Sequence, residues 1–219
     1  MEKALVLGAS GGIGKALSAE LEGRGLRVTR LSRSEDGFDV TNPDAVDAAL
    51  GGLGAFDIVM VATGKLDGAG QGPEKSLKAL TAEAMEDQFR TNTIGPALIL
   101  RHLPQLLPRE GAAFCGVLSA RVGSIGDNKL GGWYSYRAAK AALNQIIHGA
   151  AVELGRTHKE ARLVALHPGT VATSFTEGFS GHDKLSPDES ARHLVDVLLK
   201  RTPAESGTFY DWKGEAVPW

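Results

Sequence analysis

The sequence predicts a single-domain α/β fold, a doubly wound parallel sheet of about seven strands with helices on both faces. Strand-like and helix-like patterns alternate along nearly the whole chain, as they do when helices connect parallel strands. The first strand-like segment, from Ala4 to Leu7, is apolar without interruption, which is typical of a strand buried on both faces. A length of 219 residues suits one α/β domain, and we therefore treat 1–219 as one unit.

The strands are predicted from short apolar or β-branched runs bounded by turn residues. After the first strand come a second at 27–31 and a short strand or extended piece near 38–40. The remaining predicted strands are 57–61, 112–118, 162–166 and 207–212.

The helices are predicted from apolar periodicity and from capping residues. One begins in the glycine-rich turn after the first strand, and another begins at Asn42, followed by a proline suited to a first turn. A long helix covers 82–107 with a break near Gly95, and a further helix covers 134–155. Ser186, Pro187 and Glu189 form a capping-box pattern that starts the last helix. Residues 65–76 and 119–132 are predicted as loops, and 170–185 has no clear pattern.

The glycine-rich turn that follows the first strand is a candidate phosphate site. Gly8, Gly12 and Gly14 stand in a G-x-x-x-G-x-G spacing directly before a helix. Glycines let the backbone approach a ligand closely, and a helix N-terminus favours a phosphate. The alternative is a glycine-rich turn that binds nothing.

Tyr136 and Lys140 are the second candidate feature. At a spacing of four they share one face of the predicted helix. An ammonium group beside a phenol lowers the phenol pKa, and such a tyrosine can exchange a proton with a carbonyl or alcohol. The alternative is a chance pairing on a solvated helix. The small residues around the pair, Ala138 and Ala139 among them, leave room for a large ligand.

Together these motifs resemble the classical short-chain dehydrogenase/reductase family, and the resemblance covers nearly the whole chain. The glycine turn and the Y-x-x-x-K pair match the family, as do Asn92, the Pro168-Gly169 motif and the Asp39-Val40 pair. The run 131–137 is similar to the C-factor subgroup. The resemblance implies a Rossmann-type fold and hydride transfer between NAD(P)(H) and a small carbonyl or alcohol substrate.

The resemblance also implies roles for particular residues. Tyr136 is the general acid or base, Lys140 tunes it and binds the nicotinamide ribose, Asn92 holds a relay water, and Ser119 completes the catalytic set. The implied cofactor-binding residues are Gly8, Ser10, Gly12, Ile13, Gly14, Ser32, Arg33, Asp39, Val40, Ala62, Thr63, Gly64, Tyr136, Lys140, Pro168, Gly169, Val171 and Thr173.

The chain departs from the family pattern at two places. Both asparagines of the family's N-N-A-G are replaced in Val61-Ala62-Thr63-Gly64. The family serine position falls on Ala120, so Ser119, or Ser124 further along, would have to supply the hydroxyl.

The end of the second strand predicts the cofactor preference. An acidic residue there would bind a ribose 2′-hydroxyl and repel a 2′-phosphate. This chain has Ser32 followed by Arg33, whose guanidinium suits a phosphate, so we expect NADP(H) rather than NAD(H).

Composition limits the other classes. A net charge of −2 gives no reason to expect nucleic acid or a membrane surface as a partner. One cysteine suits a reducing compartment, and with no signal peptide or apolar span we expect a cytoplasmic protein. The six histidines, at positions 102, 148, 158, 167, 182 and 193, show no metal-ligand spacing.

Two further expectations concern assembly and rival functions. Helices 82–107 and 134–155 carry apolar residues on more than one face, among them Leu98, Leu100, Ile146 and Ile147, which predicts a homodimer or homotetramer. A dinucleotide-binding regulatory protein without turnover remains an alternative function, as does an epimerase or dehydratase that uses bound NAD.

Overall fold

The computed structural model describes residues 1–178 and 183–219. A six-stranded, fully parallel sheet forms its centre, in the order β2-β1-β3-β4-β5-β6. The strands are β1 (Lys3–Leu7), β2 (Arg27–Leu31), β3 (Ile58–Val61), β4 (Ala113–Leu118), β5 (Ala161–His167) and β6 (Phe209–Asp211). The doubly wound parallel fold is therefore confirmed, with six strands in place of about seven.

The helices connect these strands. They are α1 (Gly12–Gly23), α2 (Arg33–Asp36), α3 (Pro43–Leu50), α4 (Ala82–Phe89), α5 (Gly95–Leu100), α6 (Leu103–Leu106), α7 (Tyr134–Leu154) and α8 (Pro187–Leu199). The capping box predicted at the start of α8 is present, with Ser186 and Glu189 bonded reciprocally.

Two hydrophobic cores lie on opposite faces of the sheet because side chains alternate along each strand. Leu5 and Leu7 of β1 point to the face covered by α3, α5, α6 and α7, whereas Val6 points to the face covered by α1 and α8. Cys115, at the centre of β4, is fully buried, and burial raises the pKa of its thiol.

The extended piece predicted near 38–40 is not a strand. Phe38 and Val40 are buried against the core, but the backbone between them turns. The carboxylate of Asp39 accepts hydrogen bonds from the backbone and hydroxyl of Thr41, and Phe38 donates its N–H to Ser32. Because these groups are bonded locally, they form no ladder with β2, which is therefore an edge strand.

The long helix predicted over 82–107 is divided into segments. A π-helical turn (Arg90–Ile94) joins α4 to α5, just before the break expected near Gly95. A second interruption at Arg101 and His102 separates α5 from α6. A π-helical turn inside an α-helix often marks a functional site.

Candidate active site

A cleft of about 670 Å³ opens at the carboxyl ends of the strands. The strand order reverses between β1 and β3, and crevices at such a switch point are the usual ligand sites of open α/β sheets. The cleft is lined by the glycine turn, by the ends of β3, β4 and β5, by the start of α7, and by the segment after β5.

The glycine turn packs too tightly for side chains. Gly8 has a φ of +88°, and a Cβ there would lie 2.7 Å from the carbonyl oxygen of Ala62. A Cβ on Gly14 would fall on the carbonyl oxygen of Gly8. Helix α1 begins at Gly12 with no side-chain cap and no acidic residue in its first turn, so its N-terminal N–H groups are available to a phosphate.

Three observations test whether this cleft fits a dinucleotide. The uncapped α1 N-terminus supplies donors for a pyrophosphate at one end. A Cβ on Gly12 would lie 2.5 Å from Cγ2 of Thr173, so the turn and the segment after β5 approach each other across the cleft. Thr63 Oγ1 and His167 Nδ1 also line the cleft, and in the described chain they are the buried side-chain polar atoms without a hydrogen-bond partner. Buried polar atoms of this kind are normally satisfied by a ligand or by water, so the residues of the cleft fit a bound dinucleotide.

Tyr136 and Lys140 lie together in the cleft wall on α7, as the sequence predicts. Both side chains are buried, and the Lys140 Nζ lies 5.9 Å from the centre of the Tyr136 ring. Nζ donates a hydrogen bond of 3.1 Å to the carbonyl oxygen of Leu118 at the end of β4. A Cβ on Gly123 would overlap Lys140, so that glycine permits close packing of the loop on α7.

Burial determines the protonation of this pair. It raises the pKa of Tyr136 above its usual value of 10, and it lowers the pKa of Lys140 to about 8. The expectation that Lys140 lowers the phenol pKa is therefore wrong for this structure, because Nζ is bonded to a backbone carbonyl and desolvation dominates. At neutral pH the phenol is protonated and is a proton donor.

Asn92 is completely buried in the π-helical turn. Its amide exchanges two hydrogen bonds with the backbone of Lys65, at 3.1 and 2.8 Å, and donates a third to Gln88. A Cβ on Gly64 would lie 2.8 Å from Asn92 Oδ1 and 3.5 Å from Lys140 Nζ. Asn92 therefore fixes the chain beyond β3 against α4 and the π-helical turn.

Ser119 and Ala120 both line the cleft after β4. Ser119 is buried, and its hydroxyl donates a hydrogen bond of 2.6 Å to Oδ1 of Asn144 on α7. Ser124 is also buried but lies outside the cleft lining, where its hydroxyl accepts a hydrogen bond from the backbone of Asp127.

The residues predicted to bind the adenosine half lie outside the cleft lining. Ser32 is buried and caps α2, while Arg33 is exposed. The pKa of the Asp39 carboxyl is lowered mainly by the hydrogen bonds from Thr41 and, to a smaller extent, by the positive charge of Arg33. Sequence reasoning missed Asp36, whose carboxylate accepts hydrogen bonds from the Ser32 backbone and hydroxyl at 2.8 and 3.2 Å.

The other predicted cofactor residues divide by position. Those that line the cleft are Gly12, Ile13, Gly14, Ala62, Thr63, Gly64, Pro168, Gly169, Val171 and Thr173. Gly8 and Ser10 belong to the turn but lie outside the cleft lining, and Val40 is buried against Gly95.

Aromatic and polar side chains complete the cleft lining. The rings of Trp133 and Phe175 each lie 6.2 Å from the ring of Tyr136 and form an aromatic wall. Arg121 and His167 add polar groups, and burial lowers the pKa of His167 to about 4, so its ring is neutral at pH 7. Only position relative to the strand ends marks these residues, because their types are common in cores and loops.

Two findings concern other classes of site. Within residues 1–178 and 183–219, no group of three His, Cys, Asp or Glu side chains is arranged to hold a metal ion, and His182 lies outside the described residues. No helix in the same part of the chain combines the length and apolarity that membrane crossing requires.

Comparison with known proteins places the chain among oxidoreductases. A family model described as enoyl-(acyl carrier protein) reductase matches residues 8–208. The 1-hydroxy-2-glutathionyl-2-methyl-3-butene dehydrogenase of Rhodococcus is 32% identical over the full length of both chains. The C-signal protein of Myxococcus xanthus is 35% identical over 62% of this chain and 78% of its own.

Solved structures agree with the sequence relatives. A short-chain dehydrogenase/reductase from Burkholderia multivorans with bound NADP is 30% identical, with a TM-score of 0.79 over 100% of this chain and 99% of that one. An NADPH-bound carbonyl reductase from chicken fatty liver is 26% identical, with a TM-score of 0.78 over 100% and 99%.

Proposed function

The chain belongs to the short-chain dehydrogenase/reductase family, and from this premise we propose that it reduces a carbonyl compound to an alcohol at the expense of NADPH. It is an NAD(P)-dependent oxidoreductase acting on a small molecule. The observation that carries the proposal is the position of the buried Tyr136 phenol beside Lys140, in the wall of the cleft that holds the glycine turn. A protonated phenol is the acid that carbonyl reduction requires.

The residues divide the work as follows. The bound nicotinamide supplies the hydride. The Tyr136 hydroxyl donates its proton to the substrate oxygen, which becomes the alcohol oxygen. The Lys140 ammonium lies on the same helix face and, as the phenol loses its proton, stabilises the resulting negative charge. The aromatic wall of Trp133 and Phe175 excludes water from the phenol and favours an apolar substrate body.

Ser119 is proposed as a hydrogen-bond donor to the substrate oxygen. Its position in the cleft lining supports this role, whereas its hydroxyl proton is directed to Asn144 and has to rotate toward the substrate. The side chain of Ala120 has no donor. Asn92, held by the Lys65 backbone, is proposed to position the proton relay through its backbone in the π-helical turn.

We propose a preference for NADPH because of the positive charge of Arg33. Its exposed guanidinium lies at the start of α2, where a 2′-phosphate is expected, and Asp36 places a carboxylate nearby that opposes it. Arg33→Ala should weaken NADPH binding about tenfold and leave NADH binding within about threefold, measured as dissociation constants. Tighter binding of NADH than of NADPH by the wild type would refute the preference.

The proposed reaction is tested by following NADPH absorbance over a panel of aldehydes, ketones and a glutathione-conjugated carbonyl, the last chosen because a full-length relative acts on a glutathionyl alcohol. Tyr136→Phe should abolish reduction, because the hydroxyl is the proposed proton donor to the substrate. NADPH affinity should stay within about threefold of the wild-type value. Equal inactivity of wild type and variant, with NADPH still bound, would support the regulatory alternative instead.

We also propose a homodimer or homotetramer built on α5 and α7. Much of the predicted apolar surface is used within the subunit, because Leu100 and Ile147 are buried and Leu98 and Ile146 pack on the core. Ile94 and Val152 remain about half exposed. Sedimentation as a single monomer-sized species would refute the assembly.

A cytoplasmic location is proposed because a single buried thiol and nicotinamide chemistry suit a reducing compartment. Recovery of the activity in a secreted fraction would contradict it.

A further inference from the structure

The helix that carries Tyr136 begins without a cap of its own. Its N-cap residue, Trp133, has a φ of +53°, and an indole has no acceptor for the free N–H groups of a first helical turn. The first turn of α7 contains no acidic residue. A bulky residue in the left-handed region costs free energy and persists only where surrounding contacts hold it.

Glu74 supplies those contacts from a distant part of the chain. Its carboxylate accepts hydrogen bonds from the Ser135 hydroxyl and, at 3.3 Å, from the Ser135 backbone N–H. Its backbone carbonyl accepts the Trp133 N–H at 2.5 Å. Glu74 is buried, so its charge lies in a poorly solvated place at the positive end of the α7 dipole.

The loop that carries Glu74 is itself fixed. Gln88 donates a hydrogen bond of 2.6 Å to the Leu66 carbonyl, and Asp87 binds both the Lys65 ammonium and the Ala69 N–H at 2.5 Å. All of these contacts tie the loop to α4. Residues 65–69 of the loop are therefore bonded to α4, and Glu74, further along the same loop, bonds it to the start of α7.

Glu74 and Tyr136 also line the same small void. Ser135 lines it as well, together with residues of the loop and of α4. Tyr136 follows Ser135 directly, so any shift of the Ser135 backbone moves the phenol.

We propose that Glu74 is a positioning residue for the reaction: its buried carboxylate clamps the first turn of α7 to the 65–76 loop and so fixes the Tyr136 hydroxyl in the cleft. The catalytic half of this inference rests on the proposed carbonyl reduction. Small misplacements of a reacting group lower turnover strongly, because the geometry of proton and hydride transfer is lost.

The test is Glu74→Gln, which keeps the length of the side chain and removes its charge. The matched control is Asp57→Asn. Asp57 likewise accepts two distant backbone N–H groups, from Glu2 and Lys3 at 2.5 and 3.0 Å, but lies at the opposite end of the sheet from the cleft. We expect Glu74→Gln to lower kcat about tenfold, with KM and the NADPH dissociation constant within about threefold. The isotope effect with deuterated NADPH should rise, whereas Asp57→Asn should change kcat less than about twofold.

A second variant and a second readout keep the result decisive. Ser135→Ala removes the hydroxyl partner with the carboxylate in place, and its effect on kcat should not add to that of Glu74→Gln. Hydrogen exchange of the amides of residues 133–137 should be faster in Glu74→Gln than in wild type and unchanged in Asp57→Asn.

Two outcomes would overturn the inference. One is that Glu74→Gln and Asp57→Asn both lower the thermal stability while neither changes kcat. The other is unchanged exchange at the start of α7 in Glu74→Gln. If the wild type reduces no carbonyl compound, the proposed function fails, and the exchange experiment alone then decides whether Glu74 clamps α7.

Discussion

Gly12→Ala is expected to place a side chain between the glycine turn and the segment after β5, on opposite sides of the cleft. An added Cβ would lie 2.5 Å from Cγ2 and 3.1 Å from Cβ of Thr173, against an ordinary carbon–carbon contact of about 3.5–4.0 Å. The overlap of roughly 1 Å forces either the glycine turn or the segment after β5 to move. Overpacking of this kind costs about 1–3 kcal/mol, which corresponds to a roughly 5- to 150-fold weaker binding of NADPH if the bound state needs both segments in place.

Thr173→Ser provides a matched suppressor. It removes the methyl group that the new Cβ would meet and keeps the hydroxyl and the backbone geometry. Alone it should change the NADPH dissociation constant less than about threefold, and combined with Gly12→Ala it should recover most of the lost affinity. Isothermal titration of NADPH into the four proteins measures the coupling. A double variant as weak as Gly12→Ala, or a Gly12→Ala protein that binds like wild type, would refute the contact.

Three further outcomes follow from the same cleft. Ser119→Ala should lower kcat at least about tenfold while Ala120→Ser leaves it unchanged, and the reverse pattern would move the donor to position 120. Burial holds the pKa of His167 at about 4 against its ordinary 6.5, so the unfolded chain takes up the proton first. The free energy of unfolding should therefore fall by about 3 kcal/mol between pH 6.5 and 4, and urea titrations of His167→Asn should lack that part of the fall; an equal fall in both would contradict the assignment. Gly123→Ala should place a Cβ 2.8 Å from Cβ of Lys140, lowering both the melting temperature and kcat, and a variant with wild-type kcat would show that the loop can yield.

The parts of the fold that local sequence patterns determine were predicted well. Continuous apolar runs identified the buried parallel strands to within a residue or two, and the pair Ser186 and Glu189 marked the start of α8. These features depend on neighbours in the sequence. The strand predicted near 38–40 was wrong. Phe38 and Val40 are buried, as alternate residues of a strand would be, but the backbone hydrogen bonds of this segment are made within a local turn.

The candidate site was predicted where a motif carries it and missed where only the fold brings residues together. The glycine turn, Tyr136 and Lys140, which line or border the cleft, were singled out from their spacing together with the order of the other family-like motifs. The position of Glu74 at the start of α7, 61 residues away from Ser135, has no local signal. The pKa direction of Tyr136 was also missed, since it depends on how completely the phenol is desolvated.

The π-helical turn at Arg90–Ile94 sets the phase of everything that follows it in the helix. An α-helix advances about 100° per residue, so one additional residue in a turn rotates the later side chains by about that angle. With this turn in place, Asn92 faces Lys65 of the loop while Ile99, further along the helix, faces the core. Deleting one residue there would produce a more regular helix that presents the wrong face. This helix should therefore tolerate substitutions far better than insertions or deletions, unlike the loop at 124–132.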